Sequence, residues 1–134
     1  MGLGRVLVVD DEEYVRKTVR AMLTKGGYDV VVAEDGEMGI KAMKSDDNAL
    51  MVDVILCDIH MPNINGTEAI AYFRSQFPSV PVIVITGQPD LQGVSSLFKQ
   101  GVVDYLVKPL ESAKVLTAVG NAAKGHGRKI FSGR

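Results

Sequence analysis

The chain has 134 residues, 46% hydrophobic and 23% charged, with a formal net charge of −1. That length fits one domain whose core closes without metals or disulfides. The weak net charge argues against a nucleic-acid surface, no segment reaches the ~20 consecutive apolar residues of a membrane span, and a single cysteine, Cys57, excludes an internal disulfide.

Residues 5–9 are a short apolar run stopped by Asp10-Asp11, and residues 12–25 carry Val15, Val19, Met22 and Leu23 at helical spacing. Asp11, Glu12 and Glu13 suit the positive end of a helix dipole, and Gly26-Gly27 ends that helix. A valine-rich strand follows at 28–33, then a helix at 36–44 with Met38, Ile40, Ala42 and Met43 as its apolar positions. Residues 45–48 read as polar loop and 52–58 as a third strand. Residues 62–66 hold turn residues, and the helix at 67–76 sets Ile70, Phe73 and Phe77 on one side. Pro78 and Pro81 close that connection. The fourth strand, 82–85, ends at Thr86-Gly87, and a helix at 91–100 turns Leu91, Val94, Leu97 and Phe98 inward. The fifth strand, 102–107, ends at Lys108-Pro109 and leads to a last helix at 110–123. Residues 1–124 therefore read as one domain, and 125–134, with Arg128, Lys129 and Arg134 among glycines, as a basic flexible tail or truncated linker.

Strands alternating with helices at this spacing predict an α/β fold with a five-stranded parallel sheet covered on both faces, because a parallel pair needs a helix-length crossover. The runs at 6–9, 54–57 and 82–85 are continuously apolar, as central strands buried on both faces must be. The flavodoxin-like order 2-1-3-4-5 puts these three in the middle.

Ligands of such sheets bind beyond the carboxyl ends of the strands, where Asp10, Asp11, Asp58, Thr86 and Lys108 all fall. Alone, an aspartate after a strand only starts a turn, and a lone threonine only satisfies local backbone. Together, with strands ~4.8 Å apart, the carboxylates of Asp10, Asp11 and Asp58 must crowd one another. Oxygen ligands in an open pocket suit Mg²⁺, and Lys108 adds a further positive charge. Asp58, the single carboxylate at the end of a central strand, is the candidate nucleophile for an aspartyl phosphate. Thr86 and Lys108 are then the groups that meet the phosphoryl oxygens. Cys57, inside an apolar run, reads as a small core residue.

Four stretches in order resemble the receiver domain of two-component response regulators, over residues 5–123. They are Val8-Val9-Asp10-Asp11-Glu12, Asp58 with Met61-Pro62 and Gly66, Ile85-Thr86-Gly87, and the run from Gly101 through Asp104-Tyr105 to Lys108-Pro109. The resemblance implies that Asp11 and Asp58 bind Mg²⁺ directly with the backbone carbonyl of His60, while Asp10 acts through water. It implies a donor, the phosphohistidine of a sensor histidine kinase or histidine phosphotransfer protein, with small acyl phosphates as substitutes. Tyr105 matches the family's switch aromatic, turning inward as Thr86 moves and so altering the face of the fourth helix, fifth strand and last helix. An output domain, a partner protein or a second copy of the chain are the candidate occupants of that face. His60 and Gln88 stand where side chains tune the lifetime of the aspartyl phosphate. The cytoplasm is the expected compartment, since no basic-apolar leader precedes the first strand.

A phosphohydrolase of the haloacid-dehalogenase type also uses an aspartate after a strand, but carries a second aspartate two residues on, where this chain has His60. An inert scaffold would not need all five site residues, and neither phosphate-binding glycine motif of nucleotide enzymes occurs.

Overall fold

In the computed structural model, residues 2–61 and 66–132 are described, with side chains as far as residue 125. Residues 62–65 of the loop read over 62–66, and the end of the basic tail at 133–134, lie outside the described residues.

The elements run β1 (Gly4–Val9), α1 (Glu13–Lys25), β2 (Tyr28–Ala33), α2 (Gly36–Lys44), α3 (Asn48–Met51), β3 (Val52–Asp58), α4 (Gly66–Gln76), β4 (Val82–Thr86), α5 (Leu91–Lys99), β5 (Asp104–Val107) and α6 (Ser112–Ser132). All strand pairs are parallel, in the order β2-β1-β3-β4-β5. The expected sheet is present, with β1, β3 and β4 at its centre. Because side chains alternate along a strand, each central strand feeds two cores. Leu7, Val9, Ile55, Cys57, Val82 and Val84 face α2 and α4, where Met43, Ile70 and Phe73 are buried. Val6, Val8, Val54, Leu56, Ile83 and Ile85 face α1 and α6, meeting Val19, Leu23, Val115 and Val119. This double burial explains why the sequence of these strands shows no polar alternation.

Helix ends follow local chemistry. Asp35 caps α2 by accepting from the Met38 N–H at 2.8 Å, and Gly27, at φ +99°, supplies the left-handed turn that releases the chain from α1 into β2.

Four details depart from expectation. Residues 48–51, of which Asn48 reads as the end of the polar loop, form the one-turn helix α3, since the buried Asn48 donates to Ala42 O at 2.8 Å and accepts from Arg5 Nη1 at 2.9 Å. These are tertiary contacts that local pattern does not register. β5 begins at Asp104 rather than 102, after Gly101 at φ +101°. On α5 only Leu97 is buried, and Leu91 and Phe98, expected inward, are 87% and 42% exposed. Finally, α6 continues through Ser132, past the end expected at residue 123.

Candidate functional site

The register delivers the acids to one place. Val9 on β1 pairs with Cys57 on β3, so Asp10 and Asp58 are the next residues along adjacent strands. Both are buried: Asp10 is fully covered and Asp58 is 2% exposed. Each carboxylate is held by a backbone amide two residues on. The Glu12 N–H donates to Asp10 Oδ1 at 2.8 Å and the His60 N–H to Asp58 Oδ1 at 3.0 Å. These Asx-type turns leave the Oδ2 atoms pointing across the strand ends.

Lys108 reaches back from the end of β5 to meet them. Its Nζ lies 3.0 Å from Asp10 Oδ2, 3.1 Å from Asp58 Oδ2 and 2.6 Å from Glu12 Oε1. The peptide between Lys108 and Pro109 is cis. Thr86 is fully buried at the end of β4; its Oγ1 accepts from the Gln88 N–H at 3.1 Å and its carbonyl accepts from the Lys108 N–H at 2.8 Å. Asp11, Glu12, Asp58, His60, Gly87, Gln88 and Lys108 line an open hollow of about 400 Å³ above the strand ends. Thus Asp10, Asp11, Asp58, Thr86, Lys108, His60 and Gln88 gather at one end of the sheet. Tyr105 does not join them: it sits on β5, 39% exposed, with its ring edge-on to Phe98 at 6.3 Å.

The electrostatics follow from burial. Loss of solvent pushes the Asp10 carboxyl up to about 6, with the Asp58 charge adding to the rise, against lowering by the Glu12 N–H and the Lys108 ammonium. Burial works to lower the Lys108 ammonium, but the carboxylates of Glu12, Asp10 and Asp58 together outweigh it and hold the amine well above its ordinary value. Burial pushes the Cys57 thiol up, and it stays a core residue rather than a reactive one.

The donor set fits a hard divalent cation. Oxygens of Asp10, Asp11, Glu12 and Asp58 lie within 4.8 Å of one another. Asp10 Oδ2 is buried and makes no hydrogen bond; its ion pair with Lys108 lacks hydrogen-bond geometry. A buried carboxylate oxygen without a donor is unusual, and oxygen-only clusters of this kind suit Mg²⁺.

Glu12 is the member that sequence reasoning missed. Its position at the start of α1 pointed to the helix dipole, yet it makes no side-chain cap there and turns to Lys108. Its reach across to β5 depends on the sheet order, which no local pattern encodes.

Gly66 has a steric role. The N-terminus of α4 passes so close to β3 that a Cβ on Gly66 would overlap the Asp58 carbonyl and Ile59 Cα. Only glycine lets α4 begin against the backbone of Asp58.

The sequence profile of the response regulator receiver domain matches residues 6–120. The chain belongs to the response regulator receiver domain family. The chemotaxis protein CheY of Listeria monocytogenes is 32% identical over 120 residues, which cover 90% of this chain and 98% of that protein. The DNA-binding transcriptional regulator NtrC of Proteus hauseri is 32% identical over 122 residues, 91% of this chain but 25% of NtrC. This receiver domain thus spans a quarter of one relative and nearly the whole of the other. A response regulator receiver domain from Clostridium thermocellum superposes with a TM-score of 0.86 at 26% identity, covering 96% of this chain and 98% of that one. The family is one of signalling modules in two-component systems, with a flavodoxin-like fold. Among the described residues no helix is long and apolar enough to cross a membrane.

Proposed function

We propose that this receiver domain accepts a phosphoryl group on Asp58 and signals through the surface around Tyr105. The observation that carries the reading is the buried Asp58 carboxylate at the end of β3, with its Oδ2 3.1 Å from the Lys108 ammonium and the hollow open above it. A carboxylate oxygen of Asp58 attacks the phosphorus of a phosphohistidine on a sensor kinase or phosphotransfer protein. The new O–P bond replaces the N–P bond, and the imidazole leaves as the neutral ring after taking a proton. Acetyl phosphate serves in the same way, with acetate leaving.

Asp11, Asp58 and the backbone carbonyl of His60 would hold Mg²⁺, with Asp10 acting through water; when bound it supplies positive charge to the phosphoryl oxygens. The chain's own groups do the rest. Lys108 offers an ammonium to one phosphoryl oxygen, and the Thr86 hydroxyl donates to another. The His60 N–H fixes the orientation of the Asp58 carboxylate. Hydrolysis returns the carboxylate and frees inorganic phosphate, and His60 and Gln88, at the rim of the hollow, set how easily water enters.

As Thr86 moves toward the phosphoryl group, Tyr105 leaves its exposed position beside Phe98 for the space vacated. That changes the surface of α5, β5 and α6, where an output domain, a partner protein or a second copy would dock, with the cytoplasm as the compartment. The event is a population shift, sized by the difference in contacts between the two states. Mass spectrometry after incubation with acetyl phosphate and Mg²⁺ tests the assignment. Wild type should gain one phosphoryl group per chain and Asp58→Asn none; an undiminished adduct in the variant refutes it.

A further inference from the structure

The shortest contact of Lys108 is to Glu12, which the reaction above does not use. Glu12 Oε1 lies 2.6 Å from Nζ, closer than either aspartate. The backbone of Glu12 is fixed on both sides: its N–H donates to Asp10 Oδ1 at 2.8 Å, and its carbonyl accepts from the Arg16 N–H at 3.1 Å. Its side chain crosses from the start of α1 to the end of β5.

The three partners differ in how they can let the lysine go. Asp10 and Asp58 have side chains 0% and 3% exposed, and each is tied down by a backbone amide. Releasing Lys108 from either leaves a covered charge with less compensation, which is costly. The Glu12 side chain is 57% exposed and can swing into water at little cost. Charge counting points the same way. Four carboxylates against one ammonium and one divalent cation leave a net negative charge; Asp11 and Glu12 are the two exposed acids, and of these Glu12 is the one the proposed Mg²⁺ site does not use.

We propose that Glu12 is a positioning residue: in the unphosphorylated domain it holds the Lys108 ammonium toward α1, and an arriving phosphoryl group takes that ammonium by displacing Glu12. The proposal rests on the phosphorylation reading above. Because the Glu12 end of the pair is exposed, its loss should change phosphoryl-analogue affinity by no more than about fivefold. The hold weakens with added salt, since Glu12 faces solvent.

Two measurements test it. The first uses ¹⁵N-lysine-labelled protein with no added metal and follows the Lys108 ammonium resonance. Glu12→Gln should shift it, whereas Glu13→Gln, whose acid pairs with Lys17, should not. An unmoved resonance in Glu12→Gln overturns the hold. The second titrates beryllium fluoride with Mg²⁺ by ¹⁹F NMR in wild type, Glu12→Gln, Lys108→Ala and the double variant. Glu12→Gln should bind about three- to fivefold tighter than wild type, and the gain should vanish in the Lys108→Ala background. Equal gains in both backgrounds would reduce Glu12 to a repelling charge and overturn displacement, as would unchanged or weaker binding in the single variant. A wild type that takes up no beryllium fluoride sinks the phosphoryl reading and displacement with it, while the ammonium resonance still decides the resting hold.

Discussion

The centre of the sheet and its β5 edge are built to different standards. Residues 6–9 of β1 and all of β4 are buried, and β3 is buried except at Asp53. On β5 only Leu106 is buried, and on α5 only Leu97, so Leu91, Phe98, Tyr105 and Val107 face outward. Asp10 and Asp58 stand on the side where both faces are packed. Tyr105 stands where one face is open. Chemistry that depends on distances of about 3 Å needs the first arrangement, and the surface that the proposed switch would reshape needs the second.

The contrast breaks most visibly in stability. Phe73→Ala empties a fully buried site against the central strands and should cost about 3–5 kcal/mol in urea unfolding. A loss under ~1 kcal/mol would mean that the centre repacks as freely as the edge.

Next in size is the acid pocket, where packing and function pull apart. At neutral pH the ionised, buried Asp10 opposes folding, because its folded-state value of about 6 lies above the ordinary 3.8. The shift favours the folded state fully below about pH 4, and that benefit is lost as pH rises through 6. Without Mg²⁺, Asp10→Asn should therefore match wild type near pH 3.5. It should become more stable by roughly 2–3 kcal/mol above pH 6.5. Chemical unfolding at several pH values measures the gap, and a gap independent of pH would remove Asp10 as its source.

The smallest effect belongs to the edge. Leu91→Ala on α5 should change stability by less than ~0.5 kcal/mol, despite the apolar character of the residue. A larger loss would mean that α5 is packed like the centre and would dissolve the distinction.

Much of this was legible in the chain. Double burial removes polar alternation, so the apolar runs of β1, β3 and β4 announced a central position, and their abrupt polar ends pointed to the end of the sheet where Asp10, Asp58 and Thr86 gather. What stayed hidden lies in contacts between distant segments. Leu91 and Phe98 fall at positions that suit a buried face, yet exposure is decided by how much of α5 the edge strand can cover. Asn48 begins α3 because of Arg5 on β1, and Glu12 finds Lys108 only after the sheet has set its order. The continuation of α6 past Gly125 shows that isolated glycines weaken a helix without stopping it.

Thr86 is moored twice, by its hydroxyl to one loop and by its carbonyl to another. Rotation about its Cα–Cβ bond can therefore free the amide of Gln88 while the backbone beneath Lys108 stays anchored. On the proposed reading, one residue would thus act as a swivel on a fixed post, turning toward a filled pocket without loosening the backbone that carries Lys108.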